Sequence, residues 1–383
     1  MQVELAEARQ QRLERIALRA QARTVRLWRQ RMGQDFDASW ARLERDVVAV
    51  ASDAQVAATV GASAYVASTA RADGLNGEYG GPVNPTAWAG VDGSGRDLSG
   101  LLFGAVTTAK TLIGRGAGLQ AALAGGGSYM SAMTTTAVMD AGRSANLTAG
   151  TSHSYTHYVR VVQPGACSRC AILAGIQTSS RTFRRHPACR CSQAPETETE
   201  LSGKYGSPDD YFQSLSKDEQ DRVFTKAGAE AIRAGADPIT VVTARRGAPG
   251  IEYSSHLGGT GPNSGRRMIR SVIGHNPDGT PILGYVTGEG TIRRGAYAKQ
   301  GRIATGTYAK RVRVMPETLI ALTDDTELRK VLLRDAGFIG YPATAGERGA
   351  PLGGTFFARR AELIREDRRI ADAFYRTRGI NLG

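Results

Sequence analysis

The sequence predicts an α+β protein that is mainly α-helical, and three observations carry that expectation. Residues 1–32 hold neither Gly nor Pro and repeat Arg every three or four positions. Residues 98–144 are poor in charge and rich in Ala, Leu, Met and Thr. Residues 155–162 alternate and are β-branched, and they lead straight into a cluster of all four cysteines. The first two patterns have the period of helices, and the third that of a short strand.

Taken in order, Arg9, Arg12, Arg15, Arg19, Arg23, Arg26 and Arg29 form a stripe along one helix face. Leu18, Val25 and Trp28 lie roughly opposite, while Leu5 and Ile16 fall among the arginines, so the amphipathicity is imperfect. The stripe suits solvent or phosphate. Gly33 breaks the pattern, and a second helix is expected from about Asp37 to about Ala72, with Trp40, Leu43, Val47, Val50 and Ala51 at helical spacing. These two make a helical hairpin. Gly74, Gly77, Gly80, Gly81, Pro82 and Pro85 mark a linker. Two buried helices follow, Leu98 to Ile113 and Leu119 to Ser144, the second interrupted by Gly125, Gly126 and Gly127.

Beyond the cysteines, Ser216 and Glu219 match a capping box ahead of a helix carrying Val223, Phe224 and Ala227, with Gly235 as its stop, inside a helical unit from about Tyr211 to Arg246. Ala244 to Arg313 holds 12 Lys or Arg, 3 acidic residues and 14 Gly. Such a composition buries little and repels itself, and it reads as an extended basic arm. Pro316 to Ala336 carries Leu319, Leu322, Leu328, Val331 and Leu332 at helical spacing, and Phe356 to Tyr375 is a charged final helix. The expected organisation is a hairpin at 1–73, a linker at 74–97, buried helices at 98–150, a cysteine-bearing module at 151–247, the arm at 248–313 and a helical region at 314–383.

The net charge of +13 over 383 residues comes almost wholly from arginine, 42 Arg against 7 Lys. Guanidinium groups fork onto phosphate oxygens, so an Arg-dominated surface favours a polyanion such as nucleic acid, although a GC-rich genome also enriches Arg. No run of 18 uncharged apolar residues occurs, and the first 31 residues carry eight Arg without the apolar core of a signal peptide. No membrane association is expected. Four cysteines confined to 25 positions do not resemble a disulfide framework, and they point to synthesis in a reducing compartment.

Cys167 and Cys170 form a C-x2-C pair, and His186, Cys189 and Cys191 form an H-x2-C-x-C group fifteen residues later. Two ligand pairs separated by a short loop suit zinc, which takes four thiolate or imidazole ligands in a tetrahedron. Five candidates compete for four places, and spacing does not separate them. A set filled by protein leaves no place for water, so the Zn2+ is expected to be structural. A redox C-x-x-C needs a long helix after it, whereas Gly175 follows within five residues. His153 and His157 are four apart without the Glu of a zinc protease, and His256 and His275 lie in the arm without a nucleophile motif. No catalytic residue is assigned.

The C-x2-C followed by His186-Pro187-Ala188-Cys189-Arg190-Cys191 resembles the zinc motif of Mu F-like minor capsid proteins of tailed bacteriophages. Tyr211 to Ser216, Asp221 to Ala229 and Val241 to Gly247 are similar to the actinobacteriophage version. The resemblance covers about residues 150–250 and is fainter elsewhere. It implies a low-copy structural head protein, stabilised by zinc, with a role in head assembly and in DNA packaging or ejection. It also implies a place inside the capsid at the portal vertex, and in the host cytoplasm during assembly. The implied partners are the portal protein, the major capsid protein or scaffold, and packaged double-stranded DNA. In that setting Arg245, Arg246, Arg266, Arg267, Arg270, Arg293, Arg294, Lys299, Arg302, Lys310, Arg311 and Arg313 would contact phosphates without reading sequence. Two rivals are a capsid maturation protease, which lacks any recognisable catalytic motif here, and a freestanding zinc nucleic-acid-binding protein, which lacks a zinc-finger helix pattern.

Overall fold

A computed structural model describes residues 2–75, 82–153, 155–162, 166–178, 183–195, 205–245, 270–287, 313–340 and 354–382, with the side chains of the last helix from Glu362 onward. The chain is mainly helical with small antiparallel sheets, the α+β class expected. It divides into two compact units, with the boundary between Leu215 and Ser216.

The first unit is built on helices α1 (Gln2–Arg31), α2 (Phe36–Thr59), α3 (Ala62–Ala72), α4 (Leu98–Gly114) and α5 (Leu119–Ser152). The buried seam of α1 is Ala6, Gln10, Leu13, Ala17, Ala20, Thr24 and Trp28, a repeat of three and four that follows one helix face. Leu18, expected on that face, is exposed. Six of the seven stripe arginines are exposed, but Arg9 is buried. Its guanidinium donates to Asn146 Oδ1 at 3.0 Å and to the carbonyls of Ala58 at 2.8 Å and Val60 at 3.1 Å. Arg9 thereby satisfies carbonyls left open at the end of α2. That end corrects the single helix expected over 37–72: Gly61 takes a left-handed conformation (φ 82°) and splits it into α2 and α3.

Trp28, Trp40, Leu43, Val47, Leu98, Leu102, Val106 and Met130 form the main core between α1, α2, α4 and α5. Residues 36–72 are long and apolar enough to cross a membrane by composition. Phe36, Trp40, Leu43, Val47 and Ala51 of this stretch are part of the core, and the stretch is broken at Gly61.

The expected interruption at Gly125 to Gly127 does not occur, because α5 runs unbroken through all three glycines. Their function is close approach. A Cβ on Gly126 would stand 2.4 Å from the Trp28 ring and 2.8 Å from the Ala105 carbonyl oxygen. Trp28 completes the seat by donating its ring N–H to Leu123 O at 2.9 Å. The linker also carries order: Gln55 on α2 donates to Val91 O at 2.7 Å and accepts from Gly90 N at 3.0 Å.

After α5 the chain forms a three-stranded antiparallel sheet, with β1 (His157–Val161) between β2 (Ile176–Thr178) and β3 (Ser192–Pro195). Helices α6 (Ser168–Ala171) and α7 (Pro208–Ser214) complete the unit.

The second unit contains α8 (Lys217–Phe224), α9 (Lys226–Arg233), α10 (Pro238–Ala244), β4 (Ser271–His275), β5 (Pro281–Gly284), β6 (Val286–Thr287), β7 (Arg313–Val314), α11 (Pro316–Leu322), α12 (Thr326–Asp335) and α13 (Gly354–Thr377). The capping box at Ser216 and Glu219 is present. The helix it starts ends at Phe224, because Thr225 adopts φ 67° and restarts the chain as the N-cap of α9. The arm is not extended throughout: β4 and β5 pair as a hairpin around Asn276 to Thr280, and β6 pairs with β7. The helix expected over 316–336 is divided into α11 and α12, the second capped by Asp325.

Gly126→Ala should lower the melting temperature, since overpacking of about 1–3 kcal/mol outweighs the gain of roughly 1 kcal/mol in helix propensity. Gly100→Ala, with nothing within 4 Å of the added carbon, should raise it. Thermal unfolding followed by circular dichroism checks both.

Candidate metal centre

The sheet and the turn of α6 bring the five sequence-predicted ligands into two groups of three that share Cys170: Cys167, Cys170 and His186, and Cys170, Cys189 and Cys191. Cys167 is the N-cap of α6 and Cys170 lies one turn on, so the C-x2-C pair shares one side, with the sulfurs 3.8 Å apart. His186 Nε2 lies 3.1 Å from Cys167 Sγ and 3.3 Å from Cys170 Sγ. Cys170 Sγ is 3.5 Å from Cys189 Sγ, and the Cys191 sulfur lies within 4.8 Å of both. Tetrahedral zinc with sulfur at about 2.3 Å and nitrogen at about 2.0–2.1 Å has ligand–ligand edges of roughly 3.5–3.8 Å. Each group of three can therefore hold a metal ion, and the donors are of the soft kind that zinc selects.

The imidazole is oriented for this. A proton on Nδ1 donates to Pro187 O at 2.7 Å, which leaves Nε2 as the lone-pair atom facing the sulfurs. Pro187 and Ala188 sit in a tight turn closed by Cys189 N to His186 O at 3.1 Å. Ala188 is there in the left-handed region, φ 60°, and its N–H donates to Thr136 Oγ1 on α5 at 2.8 Å.

Charge around the sulfurs favours thiolates. Arg160 on β1 is buried, and its Nη2 lies 3.5 Å from Cys189 Sγ and 3.9 Å from Cys170 Sγ. The hydrogen bond from Cys170 holds the Cys167 thiol down to about 4 despite burial. Hydrogen bonds from Cys170 and Cys191, followed by the charges of Arg143 and Arg160, hold Cys189 far below the usual thiol range. Cys170 is raised by donating to Cys167 and Cys189. The cluster thus has anionic and protonated sulfurs side by side.

The residues that fix the cluster to the helices are ones that sequence reasoning missed. Arg143 on α5 donates Nε to Cys191 O at 2.8 Å and Nη2 to Cys189 O at 2.6 Å. Its Nη1 bonds Asp140 Oδ1 at 2.6 Å, and Asp140 also accepts from Arg185 Nε at 2.7 and 2.9 Å. Gln193 donates to Arg143 O at 2.8 Å. From α1, Gln10 donates to Arg190 O, and Glu14 pairs with the Arg190 guanidinium. Phe183 lies under both cations, 4.2 Å from Arg160 and 4.8 Å from Arg143. One signal was present in the sequence: Asp140 and Arg143 are the only charged residues in the 34 of α5.

The residues expected to contact nucleic acid are placed differently from one another. Arg245 is turned inward, paired with Glu317 at 2.7 Å and donating to Phe224 O at 2.8 Å. Arg313 is buried, donating to Ala336 O at 2.5 Å and Gly337 O at 2.7 Å, with its guanidinium 3.9 Å from the Phe338 ring centre. Both guanidiniums serve the second unit's own structure. Arg270 is exposed beside Tyr285. Arg246, Arg266, Arg267, Arg293, Arg294, Lys299, Arg302, Lys310 and Arg311 lie outside the described residues.

A family model described as VG15 protein matches residues 1–217, more than half of the chain. The match ends within two residues of the boundary of the first unit, so the helices and the Cys/His cluster lie inside it and the second unit lies beyond it. No curated protein and no solved structure matches the chain significantly.

Asp140→Ala should destabilise the protein by roughly 3–5 kcal/mol, because it leaves the buried Arg143 cation without its carboxylate. Denaturant unfolding checks the magnitude.

Proposed function

The chain belongs to the VG15 protein family, a family of phage gene products, and on that premise we propose that it is a minor capsid protein of the Mu F-like kind. In this reading it is a structural component of the head and not an enzyme. It sits inside the capsid at the portal vertex, and it takes part in head assembly and in DNA packaging or ejection. Its partners are the portal protein, the major capsid protein or scaffold during assembly, and packaged DNA held through phosphate contacts from the arm.

The observation that carries the reading is the Cys/His cluster closing with His186-Pro187-Ala188-Cys189-Arg190-Cys191 inside a phage family's matched region. The resident ion of this reading is zinc, held by Cys167, Cys170, His186 and Cys189. Those four are linked by sulfur–sulfur and sulfur–nitrogen separations of 3.1–3.8 Å. Cys191 stands beside them as a buried thiol: the hydrogen bond from Cys170 lowers it, but the bond to Cys189, burial and the Cys189 charge together push it up to about 12. Zinc there supplies folding free energy by joining the α6 turn to the 186–191 segment.

Mass spectrometry of purified phage particles should find the chain in DNA-filled heads at a small fraction of the major capsid protein. Immunogold labelling should concentrate at one vertex. A chain absent from heads, or present only in infected-cell lysate, would contradict the proposal.

A further inference from the structure

We infer that the exposed face of α1 is a binding surface for the phosphate backbone of double-stranded DNA. Arg12, Arg15, Arg19, Arg23, Arg26 and Arg29 are all exposed, and none has an ion-pair or hydrogen-bond partner among the described residues. At about 100° per residue the first five fall within an arc of roughly 80°, and Arg29 widens it to roughly 120°. The centre of that arc lies about 155° from the buried seam of Ala6, Leu13, Ala17, Ala20, Thr24 and Trp28. The core therefore holds the helix from behind and presents the arginines together. From Arg12 to Arg29 the row runs about 26 Å along the helix axis.

The carboxylates of α1 are elsewhere. Glu7 accepts from Tyr205 at 2.6 Å, Glu14 pairs with Arg190, and Glu4 lies at the N-terminal turn. Six like charges along one face repel one another and gain from a polyanion that releases its counterions when bound. Every cation in the row is arginine, whose fork matches phosphate oxygens two at a time. A protein partner would need an apolar centre to bury, and this face has none apart from Leu18 at its edge. Phosphate contacts carry no sequence information, so the surface holds any duplex alike. The inference deepens the DNA contact of the proposed function and rests on that reading only in taking duplex DNA as the ligand.

The test is a fluorescence-anisotropy titration of the full chain with a mixed-sequence 30-base-pair duplex over a range of salt. The quadruple variant Arg15→Gln, Arg19→Gln, Arg23→Gln, Arg26→Gln should reduce the slope of log affinity against log salt by about 3 to 4, given roughly 0.9 for each phosphate that an arginine neutralises. Arg→Lys at the same positions should keep most of the slope, and all variants should melt as the parent does. A comparison variant, Arg266→Gln, Arg267→Gln, Arg293→Gln, Arg294→Gln, removes the same charge from the arm. Parent-like binding by the α1 variant together with weakened binding by the arm variant would overturn this inference and leave the arm reading standing. No binding by the parent would overturn both. Equal binding of polyglutamate at matched charge would overturn the assignment to nucleic acid.

Discussion

The architecture of the first unit depends on one buried carboxylate and the arginine it holds. Asp140 fixes Arg143, and Arg143 grips the backbone carbonyls of Cys189 and Cys191. A guanidinium at 2% exposure is costly to bury unless its charge is paired and its donors are used, and both conditions are met here. The consequence is positional. Two of the four sulfurs are set by α5, the longest helix of the core, while the other two come from the α6 turn. A metal joining the pairs therefore ties a loop-rich, strand-poor segment to a rigid helical frame. Arg143 and Arg160 also offset the negative charge that thiolate ligands accumulate.

Much of this was legible from local chemistry. Ligand spacing is fixed by how far a turn can carry two sulfurs, so the five donors stood out in the sequence, and the structure gathers them in two groups of three that share Cys170. Helix periods and caps are also local, which is why α4 and the capping box at Ser216 match their expected places. What was hidden depends on partners distant in sequence. The α1 seam is mostly Ala, Gln and Thr, residues with little hydrophobic signal, and Arg9 sits on a helix end 49 to 51 positions away. Gly125 to Gly127 looked like a break because nothing local says that Leu112 and Trp28 fill the space they leave. The joint at Arg143 reaches carbonyls 46 and 48 positions on, and a hydrogen bond to main chain leaves no trace in side-chain identity. The β4–β5 hairpin was masked by Gly-rich composition, although Asn276-Pro277-Asp278-Gly279 is turn chemistry.

Arginine does three distinct jobs in this chain, and composition alone could not separate them. Arg9, Arg245 and Arg313 are turned inward onto carbonyls. Arg143 and Arg160 balance a sulfur cluster. The α1 row faces solvent. The VG15 match covers the first unit and thus includes the helical frame, the sulfur cluster and the exposed row together. In the proposed reading the chain is a phage head component, which needs a stable fold in a reducing cell and a surface tolerant of any DNA sequence, and a metal fastening and a phosphate-facing helix would meet those needs.

In the proposed reading the Cys/His cluster is a fastening built around one ion, with Cys170 at its centre. Native mass spectrometry of the full chain, with its Cys170→Ser and Cys191→Ser variants, tests that most directly. One zinc per chain is expected, retained by Cys191→Ser and released by Cys170→Ser. A parent chain without bound metal, or a Cys170→Ser chain that keeps it, would contradict the fastening.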